Sequence, residues 1–178
     1  MANTTFSGPV RSKNGFINTG PGAVKALTLA TDLTVADHAG RLITMDPAGT
    51  PTAITIPSII STADAAVAGA NDPNNASTIG TTFEILFIDN FTGTIKTANT
   101  ADKFVGAVTL GITASTAGKQ FQVATNNKEV NLNGEAGTAT TGGLKGSIIK
   151  FTAIAANLYA VEGQLLAAGV LATPFDNQ

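Results

Sequence analysis

The chain has 178 residues, a formal net charge of −2, no cysteine and a single histidine, His38. The missing cysteine excludes disulfides, zinc–thiolate sites and thiol nucleophiles, and one histidine excludes a two-histidine metal site within a single chain. Charged residues make up 12% of the chain and hydrophobic ones 43%, against about 25% charged in ordinary soluble domains, so the polar surface must be built from Thr, Asn and Ser and copies of the chain repel one another weakly.

The length predicts one domain. Residues 1–22 carry Gly8, Pro9, Gly15, Gly20, Pro21 and Gly22 with isolated Phe6 and Phe16, which reads as an extended N-terminal arm. Helical periodicity is nearly absent beyond it. Short β-rich runs punctuated by Gly, Asn and Pro predict an all-β fold, an antiparallel, jelly-roll-like β-sandwich over 23–170. Strands are expected at 25–30, 41–46 and 52–57, the last two joined by the turn Asp46-Pro47-Ala48-Gly49, where Pro fixes φ and Gly permits φ > 0. Residues 58–80 form a long excursion, with Ala-rich 62–69 a candidate short helix. The nearly continuous apolar run 83–89 predicts a central strand covered on both faces. Residues 93–97 are expected to pair with it across Asn90-Phe91-Thr92, and 104–110 adds another strand.

The sharpest local signal is 120–133. Phe121 and Val123 precede Asn126-Asn127, and Val130 and Leu132 follow. A two-residue loop sets Val123 opposite Val130 and Phe121 opposite Leu132, and Asn tolerates the left-handed conformation such loops demand. A hairpin is therefore expected. Residues 134–146 (GEAGTATTGGLKG) read as a flexible loop. Strands at 147–154 and 157–162, linked by Ala155-Ala156-Asn157, bring the total to nine or ten. Residues 171–178 read as a C-terminal tail.

No catalytic constellation emerges. Gly111…Gly118-Lys119 has six intervening residues where a phosphate loop needs four, Gln120 replaces the required Ser or Thr, and a strand follows. Asp72-Pro73-Asn74-Asn75 fails the ligand and Gly requirements of a calcium loop, which leaves a loose site through Asp64 and Asp72 as the remaining metal reading. His38 follows Asp37, yet Ser7, Ser12, Ser58, Ser61, Ser77, Ser115 and Ser147 lack a nucleophile-elbow setting, so His38 reads as a turn residue. Glu84, Glu129, Glu135 and Glu162 lie on separate elements, and the chain has no Trp and one Tyr on which a sugar would stack. Asn90-Phe91-Thr92 matches a glycosylation acceptor without a secretory signal. These features predict no enzyme and no cofactor. Ten basic residues spread without a cluster argue against nucleic acid. No apolar run approaches the ~20 residues of a membrane span, and MANTTFSGPVRSKNGF lacks the charged start and apolar core of a signal peptide. A protein made in a cytosol, and kept there or released by lysis, is expected.

The order of several short motifs carries a resemblance. Asp37-His38-Ala39-Gly40-Arg41 through Asp46 is followed by Ile54-Thr55-Ile56-Pro57, then by Gly80-Thr81-Thr82-Phe83. Leu158-Tyr159-Ala160-Val161-Glu162-Gly163 comes last. Over roughly residues 31–165 this order resembles a β-sandwich module of tailed-bacteriophage structural proteins, with its D-x-G-K-x-x-x-x-D, I-T-L-P, G-x-x-F and W-Y-V-x-G landmarks. Arg41 stands for Lys, Ile56 for Leu, and Leu158 where Trp is usual. The start, Phe6-Ser7-Gly8-Pro9-Val10-Arg11-Ser12 leading to Asn14-Gly15-Phe16, is similar to that of capsid decoration (cement) proteins. The resemblance implies a homotrimer made in the host cytoplasm and resident on the virion, bound to the major capsid protein on the outside of an icosahedral head. The arm then offers Phe6, Arg11, Lys13 and Phe16 as capsid contacts. Exchange of arms within the trimer, or an arm that stays disordered, are the other readings. The alternative function is a receptor- or glycan-binding module of a phage head or tail fibre, with 58–80 and 134–146 as binding tips.

Overall fold

A computed structural model describes residues 23–47, 52–60 and 78–177. The arm, with Phe6, Arg11, Lys13 and Phe16, the candidate helix 62–69, and Asp64 and Asp72 all lie outside the described residues.

Twelve strands and one helical turn are found among the described residues. In chain order these are β1 (Val24–Leu27), β2 (Thr31–Asp32), α1 (Val35–His38), β3 (Leu42–Met45), β4 (Thr52–Ile56), β5 (Thr82–Phe87), β6 (Thr92–Thr97), β7 (Lys103–Ile112), β8 (Gly118–Gln122), β9 (Glu129–Asn133), β10 (Ile148–Ala155), β11 (Leu158–Ala167) and β12 (Phe175–Asp176). Period-two patterning explains most of them. In β5, buried Phe83, Ile85 and Phe87 alternate with half-buried Thr82, Glu84 and Leu86. The expected double-sided cover is thus one buried face and one half-covered face.

The strands form two mixed sheets. The larger, sheet A, has the order β1-β3-β5-β10-β11-β7-β8, and the smaller, sheet B, has the order β12-β9-β6-β4-β2. From β1 to β6 the chain alternates between them, odd strands in A and even strands in B. Each return to a sheet therefore passes through a strand of the other sheet. Parallel neighbours need such a crossover connection, which a helix usually supplies. Accordingly β1, β3 and β5 run parallel, as do β2, β4 and β6, and β7 lies parallel to β11. The expected all-antiparallel arrangement is corrected on this point. It assumed that strands adjacent in sequence pair with each other, which holds here for β7/β8 and β10/β11.

The same alternation overturns two expected pairings. Strand β6 does not pair with β5; it sits between β4 and β9 in sheet B. The hairpin over 120–133 is not formed either. Its turn is real: Asn126 has φ 77°, and Asn127 Oδ1 accepts from the Ala124 amide at 2.8 Å. That turn carries the chain from sheet A to sheet B. Before it, the Val123 amide donates to the Gly106 carbonyl of β7; after it, the Lys128 amide donates to Asp176 of β12. Phe121 and Val123 still join the same apolar cluster as Val130 and Leu132. The hydrophobic pattern is satisfied by a core shared between two sheets as well as by two neighbouring strands.

One cluster serves both sheets. Ile43, Ile85, Ile149 and Val108 come from A, and Ile54, Ile95 and Val130 from B. Two aromatic pairs tighten it, Phe87–Phe91 with centroids 4.8 Å apart and Phe104–Phe151 at 5.2 Å. Such tilted pairs add to the burial of the rings themselves.

Two segments expected to be loose are built in. The C-terminal tail supplies β12, whose Phe175 is buried opposite Val130. Residues 134–146 are pinned rather than flexible. Ala139 and Leu144 are buried. The Phe91 amide donates to the Gly143 carbonyl at 2.7 Å, and the Leu144 amide to Leu166 at 3.1 Å. Buried Ser147 closes the segment, donating to the Leu144 carbonyl and accepting from the Leu166 amide.

Gly134 and Gly143 are the tightest points of this segment, and Gly143 also has a left-handed backbone. Its φ is +97°, and a Cβ there would collide with the Phe91 carbonyl oxygen. Gly143→Ala combines left-handed strain with overpacking and is expected to cost about 3 kcal/mol. A urea unfolding midpoint equal to that of the wild type would contradict this packing.

Candidate interaction surface

The outward-facing rows of the two sheets differ in chemistry. In sheet A one row runs Leu42–Glu84–Lys150–Glu162–Ala107–Gln122, with Val24 beside Leu42 on the edge strand. The next runs Thr44–Leu86–Ile148–Gln164–Thr109–Gln120. A third is Thr82–Thr152–Ala160–Val105. In sheet B the outward row is Asp176–Glu129–Lys96–Thr55–Asp32, followed by Asn131–Thr94–Ala53. Sheet B thus turns four charged groups and little hydrocarbon to water. Sheet A also turns out four charged groups, Glu84, Lys150, Glu162 and, beside Leu158 in a further row, Lys103, but it adds the aliphatic side chains Val24, Leu42, Leu86, Ile148, Leu158 and Val105. Val24 is 46% exposed and Val105 43%. Exposed aliphatic side chains are ordinary singly; on sheet A several share one face, which makes it the candidate interaction surface.

The charged centre is compact. Lys150 Nζ donates to Glu162 Oε1 at 2.6 Å, and Glu84 stands opposite Lys150 on its other side. The Glu162 hydrogen bond and the charge behind it hold the Lys150 ammonium above its ordinary pKa. A shallow groove of about 240 Å³ lies here, lined by Glu84, Ile148, Ile149, Lys150, Glu162 and Gly163. Sequence reasoning singled out Glu84 and Glu162 without a way to join them. The structure puts them on either side of Lys150, a residue that reasoning missed. The signal for it was the shared apolar/charged alternation of 83–87 and 147–152, which becomes legible only once their pairing is known.

The other residues weighed for chemistry are scattered. His38 closes α1 and is buried. The Thr34 amide donates to His38 Nδ1 at 3.0 Å, so the neutral ring carries its proton on Nε2. Asp37 does not orient His38; its carboxylate accepts from the Thr34 hydroxyl. Ser147 is committed to the backbone as described. Glu129 belongs to sheet B, and Glu135 accepts from the Thr138 hydroxyl. Gly111 and Gly118 face each other at the β7–β8 turn, a strand–turn–strand setting. Among the described residues no group of three or more His, Asp or Glu side chains is placed to hold a metal ion, and no helix is long and apolar enough to cross a membrane.

Comparison with protein-family models, with curated proteins and with solved structures finds no significant match.

Burial pushes the His38 pKa below its ordinary value, more than the Thr34 backbone bond raises it. An unfolded histidine titrates near pH 6.5. The unfolded chain therefore takes up the proton first, and the stability linked to His38 is present above pH 6.5 and lost as the pH falls below it. His38→Ala should flatten the wild-type loss of urea stability between about pH 7.5 and pH 5.5. An equal loss in both chains would assign the dependence to another group.

Proposed function

We propose that this chain is a structural virion protein, a capsid decoration or cement protein that docks on the outside of an icosahedral phage head. In this reading the two sheets stack as the layers of a β-sandwich, and three copies assemble on the major capsid protein. The observation that carries the docking role is the contrast between the outward faces, one of which mixes aliphatic side chains with its charges while the other shows charges and little hydrocarbon. The ordered motifs between Asp37 and Gly163 support the phage assignment.

Docking would bury aliphatic area of sheet A, at roughly 25 cal/mol per Å² removed from water. Phe6, Arg11, Lys13 and Phe16 of the arm would add a second contact of the same mixed kind. An extended arm loses ordering entropy on docking. Three arms on one trimer offset that loss, because the second and third bind as intramolecular events. A protein that binds one lattice state in preference to others stabilises that state by mass action. The low charge density fits such a role, since neither self-repulsion nor long-range steering governs the encounter.

Heads stripped of the protein are expected to rupture at lower temperature than complete heads. Unchanged heat resistance would reject the cement role. Ile148→Glu should leave the circular-dichroism spectrum and the oligomeric state unchanged while lowering head binding at least tenfold. Deleting residues 1–18 should leave a folded trimer with weakened head binding. A truncated chain that unfolds or becomes monomeric would instead assign the arm to the trimer's own architecture.

A further inference from the structure

One buried ionisable group has no part in docking. Asp102 lies in the turn before β7 and is completely shielded from water. Its Oδ2 accepts from the Ile59 amide at 3.1 Å. Its Oδ1 has no hydrogen-bond partner. A carboxylate oxygen without water or a donor is costly in the ionised state and much less so in the neutral one.

The amide that Asp102 holds belongs to a strap, residues 57–60, that leaves β4. Two other tethers fix this strap. The Tyr159 hydroxyl on β11 donates to the Pro57 carbonyl at 2.7 Å. At its far end the Ile60 amide donates to Thr78 Oγ1, and the Thr78 amide returns a bond to the Ile60 carbonyl. Ile59 is itself buried in the apolar cluster. Asp102 therefore sits beneath the middle of a segment held from both sides.

We infer that Asp102 is a proton-operated clasp on the strap 57–60, holding it closed when the carboxyl is neutral and releasing it when the carboxyl is ionised. Closing takes up one proton from solvent onto the carboxylate, and opening returns it as water reaches the group. Burial raises the Asp102 pKa by more than the Ile59 amide lowers it, which gives the clasp its direction. Among the described residues the surroundings leave this balance intact. The strap and the turn 98–101 carry no ionisable side chain. From β11 the facing group is Tyr159, whose own pKa is pushed upward, first by burial and then by the charge on Asp102. On β7 the adjacent Lys103 is exposed and donates to Asn126 Oδ1. Each unit by which the closed-state pKa exceeds the open-state value changes the opening equilibrium tenfold at pH above both. The inference stands independently of the docking proposal.

Tyr159 is the chain's one tyrosine, and there is no tryptophan, so tyrosine fluorescence, excited beyond the phenylalanine absorption, reports on this site alone. The test is amide hydrogen exchange at Ile59 and Ile60 in the full chain, together with Tyr159 fluorescence, from about pH 4 to pH 9. After correction for intrinsic exchange, opening is expected to rise roughly tenfold or more as Asp102 ionises. Fluorescence should follow with the same midpoint, and Asp102→Asn should show neither change. Opening that is independent of pH in the wild type, or identical pH dependence in Asp102→Asn, overturns the inference. If that variant does not fold, the carboxyl ¹³C shift of Asp102 in the wild-type chain decides. A midpoint near the ordinary ~3.9, or one that does not coincide with opening, overturns it equally.

Discussion

The structure depends on one constraint: most strands have a single oily side, and the oily sides from both sheets share one apolar cluster. The chain satisfies this early by crossing from one sheet to the other at each step from β1 to β6. Among the described residues, parallel neighbours follow without any long helix, because a strand of the opposite sheet serves as the crossover. The apolar cluster is the product of that alternation, since Ile43 and Ile85 belong to one layer and Ile54 and Ile95 to the other. The later strands then close the structure, with β9 completing sheet B and β10, β11 and β7 completing sheet A.

The edges and faces left over have different fates. Both edges of sheet A carry a lysine at a core-row position. Lys25 is in register with Ile43, and Lys119 with Leu110; Lys119 Nζ lies 4.9 Å from the Phe121 ring centroid. Inward-register charge on an edge strand opposes edge-to-edge pairing. The edges are thus guarded while the broad face around Lys150 is left aliphatic. That combination opposes open-ended polymerisation through strand addition.

The polar interior is small and specific. Ser147 and Asn127 each satisfy backbone groups where the chain changes direction. His38 does the same at α1 by accepting from Thr34. Asp102 is the exception, because half of its hydrogen-bonding capacity is unmet. His38 and Asp102 pull the pH dependence of stability in opposite directions, so variants at each are needed to separate the two contributions.

Local chemistry determined a good deal by itself. Alternation of apolar and polar residues identified most strands and the all-β class, and the absence of cysteine, with one histidine, limited the chemistry. Turn residues were equally legible, because the φ of Asn126 and the Ala155–Asn157 link depend on neighbours in sequence. Partner choice was not legible. Val123 and Val130 show the same period whether they lie side by side in one sheet or belong to two sheets that share a core, so the sequence predicts a hairpin that the tertiary structure divides. The charged centre of sheet A was hidden for the same reason, since Glu84, Lys150 and Glu162 are remote in sequence and meet only through the order β5-β10-β11. The burial of Asp102 had no local signature either, because its environment is supplied by Ile59 and Tyr159, both more than forty residues away. Hydrophobic period is a property of one strand, whereas pairing and burial are properties of the whole chain, and the packing of the whole chain decided them.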